Sequence, residues 1–424
     1  MKKILCYSLC IISISCFNGC VKDSCTHTYS YTWFEPLYKT TAEVRDNIKT
    51  NTARAIKVPG KLFVIGKYIF LNEVNKGIHI INNSNPAAPV NAGFIDIPGN
   101  IDIAVKGNTL YADLYSDLVT LDISNPLNVV KKKIIDNVFP HRRYYGFNSD
   151  SLKIIYDWVR HDTTITTDCS QNGWIGYNRG GIYLATNDQL FNSSAASNAG
   201  FIGGAPSGIA GSMARFALMN NYLYTVGDAE LKVINIAEVN DPKVTNTIAL
   251  NWGIETIYPF KDKLFIGSNT GMFIFNTTNP DQPAQEGEFT HARVCDPVIA
   301  DSNFAFITLR NGSKCAGFIN ELEIVDISNL SSPVLLKKFD MTNPHGLSKD
   351  GKLLFICDGK DGLKIFDASH VTKLQLVKQF KDIETYDVIA WNGLAIVVAA
   401  DGLYQFNYVD NNDIKLLSKI SILQ

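Results

Sequence analysis

Short apolar runs, broken by Gly, Asn, Asp and Pro, fill the chain from about residue 60 to its end, and they recur in register. A strand-like run closes on an Asp or Asn and gives way to a polar turn at Asn82, Asp122, Asn235, Asn276, Asp326, Asp367 and Asn407. Successive anchors are 40, 113, 41, 50, 41 and 40 residues apart, so one period of about forty residues organises the chain, with a long insertion in the third repeat. Inside a period the pattern predicts four strands. In the second repeat these are Asp102–Gly107, Thr109–Tyr115, Leu118–Ile123 and Val129–Ile135, and in the last Asp387–Trp391, Leu394–Ala399, Leu403–Tyr408 and Ile414–Leu423. The breaks between them carry Gly, Asn or Asp, the residues that tolerate the positive φ of tight hairpins. The apolar runs alternate only partly, as expected of strands buried on both faces. Hardly any segment has helical spacing, which disfavours a parallel α/β fold.

Four antiparallel strands per forty residues is the pattern of a β-propeller blade. The chain is therefore expected to be all-β: a single propeller over residues 53–424 with seven four-stranded blades. Six or eight remain alternatives because of the insertion, which spans about 138–211. Thr40-x-x-Glu43 has capping-box spacing and Val44 and Ile48 lie one turn apart, which predicts one short helix over 41–48. Ahead of it, Tyr29, Tyr31, Trp33 and Phe34 are expected to dock on the propeller. Within the insertion, Ser151–Thr167 alternates like one long hairpin strand, and the Gly/Ser/Ala-rich stretch 192–212 reads as a mobile loop.

The runs Leu322-Glu-Ile-Val-Asp-Ile-Ser, Leu118-Val-Thr-Leu-Asp-Ile-Ser and Leu231-Lys-Val-Ile-Asn-Ile-Ala resemble the LVIVD repeat, and the wider stretch from Gly60 to Pro126 is similar to the LVIVD-repeat lipoproteins of Bacteroidetes. The resemblance implies a cell-envelope propeller. It implies no activity and no catalytic residues.

The N-terminus agrees with that address. Met1-Lys2-Lys3 is followed by an apolar run of 14 residues, Ile4–Phe17, too short to span a bilayer and suited to a signal peptide over 1–19. Gly19-Cys20 at its end resembles a lipobox, which implies lipid attachment at Cys20, and 20–52 is then a tether and N-terminal segment. Val21-Lys22-Asp23 resembles an export signal to the outer face of the outer membrane. The expected location is the bacterial cell envelope, lipid-anchored at the outer membrane. Removal of the signal leaves Cys25, Cys169, Cys295, Cys315 and Cys357 in an oxidising compartment. Cys295 and Cys315 are expected to lie on one face of the fifth blade, which makes them a candidate disulfide.

Composition narrows the partners. Lys plus Arg number 39 against 41 Asp plus Glu, a formal net charge of −2, so nothing favours nucleic acid. An unknown protein, peptide or glycan is the expected ligand, with no cofactor. Counting 20 residues back from each anchor gives the start of each inner strand: Leu62, Asp102, Arg215, Thr256 and Asp387, with Asp296 and His345 or Gly346 in the fifth and sixth repeats, and Glu255 adjacent. One channel mouth should collect Asp102, Arg215, Glu255, Asp296, His345 and Asp387. Four carboxylates with one Arg and one His could bind a cation, a sugar or a peptide, or could simply line a wet channel. The leading function is a non-enzymatic binding or scaffold module, acting through the propeller face or the insertion; the alternative is an envelope hydrolase or lyase working at that mouth. Asp358-Gly-Lys-Asp361-Gly resembles a fragment of a calcium loop but lacks the terminal Glu, and is read as a hairpin turn.

Overall fold

The computed structural model describes residues 26–140, 143–144, 147–148, 154–168, 209–291, 297–311 and 319–422. Cys20, Cys25, Cys169, Cys295, Asp296 and Cys315 lie outside them, as do the signal sequence and most of the insertion. The described part of the repeat region is a β-propeller of seven blades. Each blade is an antiparallel meander with its first strand innermost. These first strands, Pro59–Ile65, Ile103–Lys106, Phe216–Met219, Ile254–Phe260, Val298–Ala300, Leu347–Asp350 and Thr385–Trp391, follow one another around the ring.

The repeated anchor has one job in all seven blades. Its side-chain oxygen accepts the backbone N–H two residues on: Ser84, Ser124, Ala237, Thr278, Ser328, Ser369 and Val409, at 2.8–3.0 Å. The intervening residue sends its own N–H back to the turn between the first two strands, as Ile123 does to Asn108 and Tyr408 to Gly393, both at 2.8 Å. This Asx turn ends the third strand and ties it to the blade's inner hairpin, which is why only Asp or Asn occurs there. Just before it, the pairing of third and fourth strands slips by one residue in every blade, for example between Ile324 and Val325. The bulge adds twist and turns the fourth strand outward.

Blades stack through apolar faces on both sides, so the strands carry apolar runs. Two residues past the anchor's partner on the second strand, six blades bury a large aromatic ring: Phe70, Tyr111, Tyr224, Phe265, Phe306 and Phe355. Blade 7 has Ile396 there. Each such ring contributes roughly 1.5–3 kcal/mol by leaving water. Blades 7 and 1 close the ring by the same packing, with Leu62, Ile69 and Ile81 against Ile389, Val398 and Leu403. Among the described residues no strand is shared between them: the last blade supplies its own fourth strand, Lys415–Ser421.

Blade 1 is wider than predicted. Lys49–Asn51 adds to its outer edge along Asp96–Phe94, and Ile209–Ala210 adds to its inner edge along Val64–Phe63. The helix runs Thr41–Asp46, slightly shorter than predicted, with both hydrogen bonds of the Thr40–Glu43 capping box formed. Arg45 then anchors it to blade 2 through Asp117, with Nη2 to Oδ2 at 2.5 Å.

In the N-terminal segment, Thr26–Lys39 is a strand paired with Ile154–Asp168 of the insertion. Rungs join Thr28 to Thr166 at 3.1 Å, Ser30 to Thr164 at 3.0 Å and Thr32 to Asp162 at 2.6 Å, and their falling register makes the ribbon antiparallel. Trp33 stacks on His161 at 4.3 Å between ring centroids and donates to Thr163 Oγ1. The predicted long hairpin strand is real, and its partner comes from the N-terminal segment.

Candidate functional site

The inner strands begin where the repeat count placed them, and most of the predicted residues meet there. The Lys61 ammonium pairs with the Asp102 carboxylate, both side chains almost wholly buried. Asp102 also receives the backbone N–H of Arg215 at 3.3 Å. Arg215 spends its guanidinium on Asp228 at 3.1 Å and on the Ile254 carbonyl at 3.3 Å. Glu255, next in sequence, faces Arg310 electrostatically, and Arg310 in turn faces His345. His345 precedes Gly346, whose Cα lies against Asp387: a Cβ there would stand 2.2 Å from Asp387 Oδ1. Asp387 lies within electrostatic reach of Lys61, which completes the circuit. Five of the six predicted residues therefore belong to one polar belt, with Asp102, His345 and Asp387 buried and Arg215 and Glu255 half-buried; Asp296 lies outside the described residues.

Two features of the belt differ from the prediction. The acidic bias shrinks, because Lys61 and Arg310 add two cations to the one foreseen. The count landed on Leu62, which packs into the apolar interface with blade 7. Pairing of the first two strands of blade 1 slips between Pro59 and Leu62, so the inward-facing position moves back by one residue to Lys61. Arg310 was missed because it sits at the end of a second strand, where the repeat count does not look.

The channel is also crossed by backbone. Residues 209–212 were read as the tail of a mobile loop, yet Ile209–Ala210 pairs along blade 1 and Ser212 is wholly buried. The Ser212 hydroxyl accepts the Leu347 N–H of blade 6 at 2.8 Å, and the Ala214 carbonyl accepts the Ile257 N–H of blade 4 at 2.8 Å. The returning chain thus links inner strands of blades 1, 6 and 4. Small residues permit it: Ala210, Gly211, Ser212 and Ala214 let backbone approach backbone.

Burial governs the belt's electrostatics. Asp387 is 0% exposed, and neither of its carboxylate oxygens has a hydrogen bond of normal geometry among the described residues. Desolvation pushes its pKa up to about 8, only partly opposed by the nearby Val388 amide and Lys61 ammonium. Burial, with Arg310 adding to it, holds His345 down to about 3, so its imidazole is neutral. Its Nε2 takes the Asn343 amide at 3.2 Å. Burial likewise lowers Arg310, with Glu255 opposing.

The Asp358–Gly362 segment is a hairpin turn with an internal cation. The Lys364 ammonium lies 2.5 Å from both Asp358 and Asp361 carboxylates, and Asp358 also accepts the Asn343 N–H at 2.7 Å. Among the described residues no group of three or more His, Cys, Asp or Glu is arranged to hold a metal ion. Cys357 is a buried free thiol whose pKa burial raises.

The repeat family LVIVD matches residues 60–96, 100–136 and 314–341, which fall on blade 1, blade 2 and the outer half of blade 5. The chain carries LVIVD repeats. The signature LVIVD run is the third strand with its Asx anchor, Leu322–Asp326 in blade 5. No curated protein matches the sequence. Among solved structures, a protein from Lactobacillus plantarum is 12% identical with a TM-score of 0.53, over 88% of this chain and 96% of that one. The periplasmic gluconolactonase of Pseudomonas aeruginosa is 11% identical with a TM-score of 0.50, over 85% and 96%. The computationally designed protein Ika8 is 9% identical with a TM-score of 0.50, over 88% and 90%. At these identities the likeness establishes that LVIVD repeats here build a propeller, and nothing about activity.

Proposed function

We propose that this LVIVD-repeat propeller is a lipid-anchored protein of the bacterial cell envelope that works as a binding or scaffold module without turnover. The single observation that supports this best is the state of the central belt. Lys61 pairs with Asp102 and Arg215 with Asp228, its histidine is held neutral, and the chain segment 209–214 lies across it. A hydrolase or lyase at the mouth would need an acid and a base within reach of a substrate. Asp387, whose pKa burial pushes up to about 8, is wholly enclosed. Envelope anchoring rests on the basic start, the short apolar run and Gly19-Cys20, with Cys20 as the acylated residue and the outer membrane as destination.

The test is fractionation combined with assay. Wild-type protein should sediment with membranes and Cys20→Ala should be released to the soluble fraction. Neither should turn over ester, lactone or glycoside substrates. Turnover by wild type that is lost in Asp387→Asn would overturn the binding-module reading, and a membrane-bound C20A variant would overturn the anchor.

A further inference from the structure

On the face opposite the inner-strand starts, where the first hairpin turns and the third-to-fourth loops emerge, a cleft of ≈ 520 Å³ opens at the junction of blades 2 and 3. From its two lysines, its amides and one uncapped phenol, we infer that this cleft is a binding site for an acidic sugar, a monosaccharide or chain-end residue carrying a carboxylate.

Pseudo-symmetry identifies the anomaly. Tyr111 in blade 2 and Tyr224 in blade 3 occupy the same position, each 11 residues before its Asx anchor, Asp122 or Asn235. The equivalent rings in blades 1, 4, 5 and 6 are phenylalanines, so a hydroxyl is not needed to fill the space between blades. The Tyr224 hydroxyl reaches across to the next blade's loop and donates to the Pro280 carbonyl at 2.9 Å. The Tyr111 hydroxyl has no such partner among the described residues, and its side chain lines the cleft instead. The blade 3 loop that should cap it carries Val239 and Asn240, counterparts of Pro280 and Asp281 by their distance from the anchor, and these line the cleft's other side. A phenol facing an open cleft can exchange its water for a ligand oxygen.

The rest of the lining suits a carbohydrate. Tyr111, Ile236 and Val239 offer an apolar surface for C–H groups, while Asn108, Asn221 and Asn240 offer amides that both donate and accept. Lys106 and Lys132 face a single carboxylate, Asp122, so the cleft carries one positive charge in excess. Each charged group is already oriented. Lys106 bonds Asn221 Oδ1 at 2.8 Å and the Asn220 carbonyl, and Lys132 bonds Asp122 at 2.9 Å. An ammonium held this way keeps further donors for a ligand carboxylate. The excess charge selects an acidic sugar over a neutral or amino sugar.

This inference deepens the binding-module reading and rests on it for the absence of turnover, yet the two fail separately: the anchor is read by fractionation, the cleft by binding. Calorimetry on the mature chain should detect D-glucuronate or D-galacturonate, with D-glucose weaker and D-glucosamine weakest. Tyr111→Phe restores the residue of the sister blades and should fold normally while weakening uronate binding by roughly tenfold, the effect of one hydrogen bond. Lys132→Gln should weaken uronate more than glucose, and Val239→Trp should fill the cleft and abolish both. Absence of uronate binding at millimolar concentration, or equal affinity in wild type, Y111F and V239W, would overturn the assignment.

Discussion

Asn83 and Gln405, 322 residues apart in sequence, exchange a reciprocal pair of amide hydrogen bonds: Asn83 Nδ2 to Gln405 Oε1 at 2.9 Å and Gln405 Nε2 to Asn83 Oδ1 at 2.8 Å. This is the polar clasp of the ring, set where blade 7 meets blade 1. Gln405 also reaches Ser418 Oγ at 3.3 Å, and that hydroxyl donates to the Pro86 carbonyl at 2.6 Å. With no strand shared between first and last blades among the described residues, these bonds and the apolar seam beneath them hold the circle shut.

Truncating one partner should therefore be costly. Gln405→Ala strands the Asn83 amide and should lower unfolding free energy by about 1–3 kcal/mol. A double Asn83→Leu, Gln405→Leu variant removes both polar groups and should lose less than the sum of the single changes. Denaturant titration of the four-member cycle measures it; strict additivity would show that the pair is not coupled.

Asp387 should make stability fall as pH rises. Its folded pKa, about 8, lies far above the ordinary aspartate value. Below about pH 4 both states are protonated and its proton is held in full. Between about pH 4 and 8 the unfolded chain gives up the proton that the folded state retains, so stability is lost progressively across that window. Asp387→Asn should thus match wild type near pH 4 and exceed it by up to a few kcal/mol at pH 8. A stability difference that does not vary with pH would mean the carboxylate is solvated or paired.

His345 acts with the opposite sign. Its folded pKa, about 3, is below the ordinary histidine value, so the unfolded chain takes up a proton that the folded state refuses between about pH 6.5 and 3. Stability should drop across that interval on acidification, and His345→Gln should flatten the drop while keeping an acceptor for Asn343. Removing Asp387 alone should then steepen acid unfolding, because the two residues offset each other near pH 5. Identical acid profiles for wild type and H345Q would contradict the neutral, enclosed imidazole.

The Asx turns predict which repeat substitutions matter. Asn276 accepts the Thr278 N–H at 2.8 Å and its hydroxyl at 2.6 Å. Asn276→Ala should cost about 1 kcal/mol, whereas Asn276→Asp should be close to neutral because Asp fills the same position in three other blades. Thermal unfolding of the two variants separates these outcomes; an equal loss in both would mean that the turn's hydrogen bond is not what the repeat preserves.

The architecture was legible because its cause is local and repeated. Every anchor from Asn82 to Asn407 does the same hydrogen-bonding work, so a spacing of forty residues could be read directly as blades. The belt was legible in outline for the same reason: inner strands start at a constant distance from the anchor. It failed where geometry departs from the average. A slip in blade 1 moved the inward position from Leu62 to Lys61, and Arg310 enters from another strand. Residues 209–212 looked mobile because small residues signal looseness in solution, yet they equally signal close backbone approach, and only the tertiary structure distinguishes the two. The pairing of Thr26–Lys39 with Ile154–Asp168 joins strands more than a hundred residues apart, beyond what local alternation can specify. Tyr111 and Tyr224 were visible in the repeat, but only the structure shows that one is capped and the other is not.

The most direct test of the envelope-module account is the intact mass of the mature polypeptide extracted from membranes. The account predicts a chain that begins at Cys20 and carries the added mass of a diacylglyceryl group, with or without a further acyl chain on its amine. A mature N-terminus elsewhere, or an unmodified Cys20, would contradict it.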